Sequence, residues 1–263
     1  MLRSLLVAGA VSLLACPGFA HDLWLIPPEA GKPAIMRAVS GSKFAIGDHA
    51  PDPAKFAKRI LTLPDGTEGK LEAAGTEGKD GLLRFTATGP GVYAVGVETT
   101  PKMIELDAKK FNEYLVSDGL PHIFMLRAKE DTLDKPAKER YSKSPKALLR
   151  IGEGGKGDAS KPIGLPLEIV PLQDPFALKA GEALKVRVLF RGKPLAGANL
   201  GWDHPGEGEL PAGTVLSNEK GEALVPIAKV GLMTIRLTHM TRPKAVDHEW
   251  ESFWTTLTFR IPG

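Results

Sequence analysis

Apolar and polar residues alternate through most of this chain, and glycine or proline breaks the alternation at roughly 8 to 15 residue intervals, the pattern of short strands joined by turns. Leu184, Val186 and Val188 share one face of such a run, with Lys185, Arg187 and Leu189 on the other. Leu83, Phe85 and Ala87 do the same, then Tyr93, Val95 and Val97, with Pro90-Gly91 turning the chain between them. The 29 glycines and 22 prolines make up close to a fifth of 263 residues, which suits short strands better than long helices. One helix is expected: Asp107 caps it, Phe111, Tyr114 and Leu115 line one face, and Gly119 stands at the C′ position. The basic segment 134–149 reads as a short helix followed by an edge strand. Gly152–Pro162 is polar, glycine-rich and without period, and reads as a linker. The expectation is a mainly all-β protein of two immunoglobulin-like β-sandwich domains. Residues 21–151 form the first, with one or two short inserted helices, and residues 163–263 the second. The Gly-x-Tyr entry at Tyr93 is a small sign in the same direction.

Residues 1–20 read as an export signal. Arg3 gives the basic start, Leu5 to Ala15 the apolar run, and Gly18 and Ala20 the small residues of a cleavage site. Cutting after Ala20 leaves His21 at the N-terminus. A lipoprotein signal cut before Cys16 is the rival reading, and Leu14 and Pro17 fit it poorly. The apolar run falls short of the about 18 residues a membrane span needs. The chain is therefore expected to be exported, soluble and periplasmic. Cys16 is the one cysteine, which excludes a disulfide framework and a thiolate zinc site. A net charge of +3 with no basic block argues against nucleic acid.

No nucleophile elbow, phosphate loop, dinucleotide fingerprint or zinc-protease helix is present, so no residue pattern requires an enzyme. What remains is histidine. Imidazole suits nickel, cobalt, copper and zinc. An exposed His21 offers both its ring and an α-amine of ordinary pKa near 8, which gives up its proton to a metal at little cost. Leu23, Trp24 and Leu25 lead into a buried strand that would pin this end. His239 ends a strand and shares a face with Ile235 and Leu237. His248 sits among Asp247, Glu249 and Glu251. Asp203-His204 and Asp48-His49 are loop pairs, and His122 is the weakest candidate. Trp24, Trp202, Trp250 and Trp254 suit either a core or a sugar-binding face, with the core favoured. Arg140, Lys143 and Lys146 suit an anion contact or a solvated edge.

The export signal ending before "HDLWL", the run "GLPLEIVPLQDPFALKAGEALKVRVLFRGKPLAGA", and the closing "LTHMTRP" and "WESFWTTLTF" resemble a bacterial family of unknown function. Its members are described as periplasmic components of cobalt and nickel transport systems, of the NikM/NikK-like kind. The resemblance implies a periplasmic location, a link to nickel or cobalt uptake, and immunoglobulin-like β domains. It also implies His21, Asp22, His239 and Glu251 as metal ligands; His204, His248 and His49 rank behind them on the residues alone. Transporter-linked relatives often carry a C-terminal membrane helix, which is not expected in the sequence up to Gly263, so this chain is expected to act freely in the periplasm or to hand its ion to an inner-membrane transporter. The leading expectation is thus a divalent-metal accessory protein for nickel or cobalt, with copper as the alternative ion. A carbohydrate-binding or adhesive sandwich stands second, and a copper oxidoreductase using the N-terminal histidine third.

Overall fold

Period two in the sequence becomes strand almost throughout. The computed structural model describes residues 21–29, 34–244 and 247–263. Residues 1–20, with the expected export signal and Cys16, lie outside the described residues. In chain order the strands are β1 (Asp22–Ile26), β2 (Ile35–Gly41), β3 (Phe56–Thr62), β4 (Glu72–Glu77), β5 (Asp80–Arg84), β6 (Gly91–Thr99) and β7 (Lys102–Leu106). Helices α1 (Ala108–Ser117) and α2 (Pro121–Lys129) follow. Then come β8 (Ala137–Lys143), β9 (Lys146–Ile151), β10 (Leu167–Pro171), β11 (Ala183–Phe190), β12 (Lys193–Pro194) and β13 (Asn199–Asp203). The last four are β14 (Gly213–Leu216), β15 (Glu222–Pro226), β16 (Gly231–Thr241) and β17 (Trp250–Ile261).

Three sheets result. One is antiparallel in the order β1-β2-β5-β4; a second is built from β10, β11, β12 and β15. The third has nine strands and runs β14-β13-β16-β17-β9-β6-β3, with β8 beside β17 and β7 beside β8. The nine-stranded sheet is the shared layer. Val92, Ala94 and Leu148 pack from one face against Leu167, Ile169, Val186 and Val188 of the second sheet. Tyr93, Val95, Val97, Ala147 and Leu149 point the other way, against Leu23, Leu25, Met36 and Leu83 of the first. Alternation therefore feeds two cores from the same strands, and β6 is buried on both sides. The molecule is mainly β, as expected, and sandwiches its central sheet twice. The Tyr93 hydroxyl donates to the Gly89 carbonyl at 2.6 Å and accepts from the amides of Thr88 and Gly89. That is the tyrosine corner of immunoglobulin-type sandwiches.

Helix α1 forms as expected, with Asp107 accepting from the Lys110 amide at 2.9 Å. It buries Phe111, Tyr114 and Leu115 on Met240, Trp250 and Trp254. Trp250 and Trp254 are therefore core residues, and Trp24 is buried too.

Segment 134–149 departs from the expectation. It is two strands, and the second helix lies earlier, at Pro121–Lys129. The reason is tertiary: β8 and β9 run parallel to the two halves of β17, pairing Glu139 with Trp250 and Lys146 with Leu257. The Ser144 amide bridges the join to the Trp254 carbonyl at 2.7 Å. β9 is thus an inner strand rather than an edge. Residues 152–162 carry the chain from β9 to β10, and strands from both sides of that stretch share the nine-stranded sheet. Lys146 is fully buried at the crossing, where its ammonium meets the Glu168 carboxylate at 2.7 Å. Glu168 also accepts the amides of Ile163, Gly164 and Leu165. One carboxylate therefore satisfies a cation and three backbone donors that burial would otherwise leave unpaired.

Candidate functional site

His21 and Asp22 are adjacent, so a strand sends them to opposite sides. His21 follows the side of Leu23 and lines a cleft of about 810 Å³. Asp22 follows Trp24 and meets Arg236 at 2.7 Å. The structure thereby separates the two leading candidates at the N-terminal end.

The loop from Gly41 to Asp52 brings a second imidazole to His21. It turns back on β2: the Asp48 amide donates to the Ser40 carbonyl at 2.8 Å, and Asp48 accepts from the Ser42 amide at 3.0 Å. The Ile46 carbonyl comes so close to Gly41 that a β-carbon there would stand 2.1 Å from it, so only glycine fits. His49 is thereby held with its ring centroid 5.4 Å from that of His21, nearly edge-on. The Asp48 carboxylate lies 3.0 Å from His21 Nε2. Burial, followed by the charges of His21 and Lys143, lowers the His49 pKa, which favours the neutral ring a metal needs.

Behind the histidines the cleft runs to β7, β8, α1 and β17. Lys143 donates a short hydrogen bond to the His21 carbonyl, and its ammonium stands 5.5 Å above the Trp254 ring. Tyr114 stacks on Trp254 at 5.6 Å. Glu139 is almost completely buried and accepts from the hydroxyls of Tyr114 and Ser252. Burial pushes its carboxyl up to about 7, and burial brings Lys143 down to about 8. A carboxyl whose folded pKa exceeds its unfolded value holds its proton more tightly when folded. Its contribution to stability therefore falls as pH rises from about 4.5 to about 7 and is level above that. Glu139→Gln is expected to flatten this fall and to gain most over the wild type near pH 8. Urea unfolding followed between about pH 4.5 and 8 reads this directly. A profile parallel to that of the wild type would show that the Glu139 carboxyl is not the titrating group.

The other candidates lie elsewhere. His239 shares its face with Ile235 and Leu237 and packs on Phe190 at 4.6 Å, beside Phe253. Trp254, its cross-strand neighbour's successor, points into the His21 cleft, so His239 and His21 lie on opposite faces of the nine-stranded sheet. Burial, then His122 and Arg191, lowers the His239 pKa to about 4. Glu251 is held between Arg140 at 2.5 Å and Arg191 at 3.5 Å. Buried His204 turns Nδ1 to the Leu232 carbonyl at 3.2 Å, and His248 turns Nδ1 to Asp247 at 2.8 Å. Among the described residues no group of three or more His, Cys, Asp and Glu side chains is placed to hold a metal ion. His21 and His49 face the cleft as a pair, with Asp48 on His21 Nε2.

A second charged cluster surrounds Arg236. Its Nη1 meets Asp22 at 2.7 Å, its Nε meets Asp203 at 3.1 Å, and its Nη2 donates to the Glu209 carbonyl at 2.8 Å. Asp118 is close by, and burial together with the Asp22 charge pushes its carboxyl up to about 7. Asp203 is pushed up to about 6 by burial in spite of Arg236. The sequence singles out neither Arg236, Asp118 nor Glu139, and places Tyr114 only on a helix face. Glu139, Tyr141 and Lys143 do alternate along β8, and that period of two was the available signal.

The fold and the cleft define a mainly-β sandwich protein with a paired-histidine pocket large enough for a small molecule. The chain belongs to the DUF4198 family, a domain of unknown function whose model matches residues 18–241. No curated protein matches it. Among solved structures, the D0-D1 domain of intimin aligns over 91% of this chain and 96% of its own, at 12% identity. The TM-score is 0.20, too low for the likeness to carry an argument.

Proposed function

We propose that this is a periplasmic accessory protein that binds one divalent transition-metal ion, nickel or cobalt with copper as the alternative, and supports its uptake. The observation that carries the reading is the pairing of His21 with His49, 5.4 Å apart, beside the Asp48 carboxylate. Cleavage after Ala20 would add the His21 α-amine. Two imidazoles and an amine form a nitrogen-rich set of the kind nickel(II) and copper(II) favour, with Asp48 on His21 Nε2 fixing the ring that would chelate through Nδ1. The set is open on one side, which suits an ion that must leave again for an inner-membrane transporter. The family resemblance to periplasmic cobalt and nickel components points the same way.

The test compares the chain beginning at His21 with one retaining Ala20, each titrated calorimetrically with nickel(II), cobalt(II) and copper(II). One ion per chain is expected. Retaining Ala20, or changing His49→Ala, is expected to weaken it by about 10–100-fold, while His239→Ala leaves it unchanged. Equal affinity with and without Ala20 would remove the amine from the site. No ion bound in any arm would overturn the metal reading.

A further inference from the structure

One face of the nine-stranded sheet has two covers. The β1-β2-β5-β4 sheet packs on β6 and β9, and α1 packs on Trp250 and Trp254 of β17. The cleft of about 810 Å³ is the gap between them. It takes Leu23 and Phe56 from one side, Tyr114 from the other, and Ile104, Leu106 and Tyr141 from the ribbon of β7 and β8. Alternation turns these ribbon side chains toward a face that is buried elsewhere, and Ile104 is left 37% exposed. An apolar gap of this volume is the size of a small-molecule site.

Neither sign of charge dominates it. Lys55 pairs with Asp52 at 3.5 Å, and His21 with Asp48 at 3.0 Å. Lys143 donates to the His21 carbonyl and lies in the field of Asp22, Asp118 and Glu139. Glu139 accepts from two hydroxyls, and Lys102 is exposed to solvent. A charged ligand would leave water without gaining a buried counter-charge, a cost that an uncharged one avoids. The Tyr141 hydroxyl has no hydrogen-bond partner among the described residues, so it can serve a hydroxyl or carbonyl group.

We propose that the gap binds a small uncharged organic molecule, an alcohol or ketone with a ring-sized hydrocarbon body. The body lies on Ile104, Leu106 and Phe56, and the oxygen meets the Tyr141 hydroxyl. Binding needs no metal ion and stands apart from the reading above.

The experiment follows N-phenyl-1-naphthylamine, an uncharged dye that brightens in apolar sites, on the chain beginning at His21 with a chelator present. One saturable dye site is expected. Three competitors share a naphthalene ring and differ in charge. 2-(1-Naphthyl)ethanol is expected to displace the dye at concentrations about tenfold below those of 1-naphthylacetate or 1-naphthylmethylammonium. Ile104→Lys puts an ammonium into the gap and is expected to weaken the dye about tenfold. Met103→Lys, on the opposite face of the same exposed strand, should leave it unchanged. Tyr141→Phe is expected to weaken the alcohol about fivefold by removing its hydrogen bond, and it carries the test if Ile104→Lys does not fold. No dye bound, or equal weakening by both lysine variants, would overturn the proposal. Equal displacement by the three competitors would overturn the choice of an uncharged ligand. The chelator keeps ions away throughout, so these outcomes are independent of metal binding.

Discussion

Glu168→Leu is expected to lower the unfolding free energy by about 3–5 kcal/mol, the cost of stranding one partner of a buried ion pair. Lys146 would remain in the interior, 0% exposed, without its counter-charge. Burial already pulls the Lys146 ammonium below its ordinary pKa even with Glu168 beside it. The amides of Ile163, Gly164 and Leu165 would also lose their acceptor. Lys146→Met should cost less, because the carboxylate keeps three backbone donors. The double variant Lys146→Met/Glu168→Leu should recover part of the loss and not all, since the three amides stay unpaired. Urea denaturation of the three variants closes the cycle. If Glu168→Leu cost under about 1 kcal/mol, water would have to reach the pair, as at exposed salt bridges.

Arg236→Met is expected to cost a similar amount, about 3–5 kcal/mol near pH 8, and the deficit should shrink on acidification. The guanidinium joins β1 to β13 through Asp22 and Asp203, and it also lowers the cost of Asp118. Without it three carboxyls crowd one partly buried spot. Asp118 and Asp203 already titrate upward, at about 7 and about 6, and losing the cation raises both further. An acid with a raised folded pKa takes up its proton on folding, so acidification restores stability. Unfolding measured near pH 8 and near pH 5 reads the difference. A deficit equal at both values would mean that Arg236 acts through packing alone. Arg236→Lys should rescue little, because one ammonium cannot reproduce three directed contacts.

The two cores could be read from the sequence because they depend on period two alone. Leu184, Val186 and Val188 do face one core, and Tyr93, Val95 and Val97 the other. Helix α1 was equally local, resting on a cap, a spacing and a glycine. Segment 134–149 was not local. Its basic composition resembles a solvated surface, and pairing with β7 and β6 on one side and with β17, more than 100 residues later, on the other makes it strand. The site divides in the same way. His21 stands out through its position, and Asp48-His49 through being a loop pair. What sets His49 beside His21 is the fold of the loop on Ser40, a tertiary fact. The separation of His21 from Asp22, and of His239 from both, follows from which face each strand presents once the sheets have stacked.

The placement of β17 bears on how the chain can acquire its shape. This strand, residues 250–261, holds β16 on one side and β8 and β9 on the other. Everything made before it lacks the rail on which both halves of the large sheet align. β8 can pair with β7 and β9 with β6 before that, but joining them to β16 waits for residues about 110 positions downstream, and closing so long a loop is slow. The two parts of the nine-stranded sheet therefore stay unjoined until β17 is made.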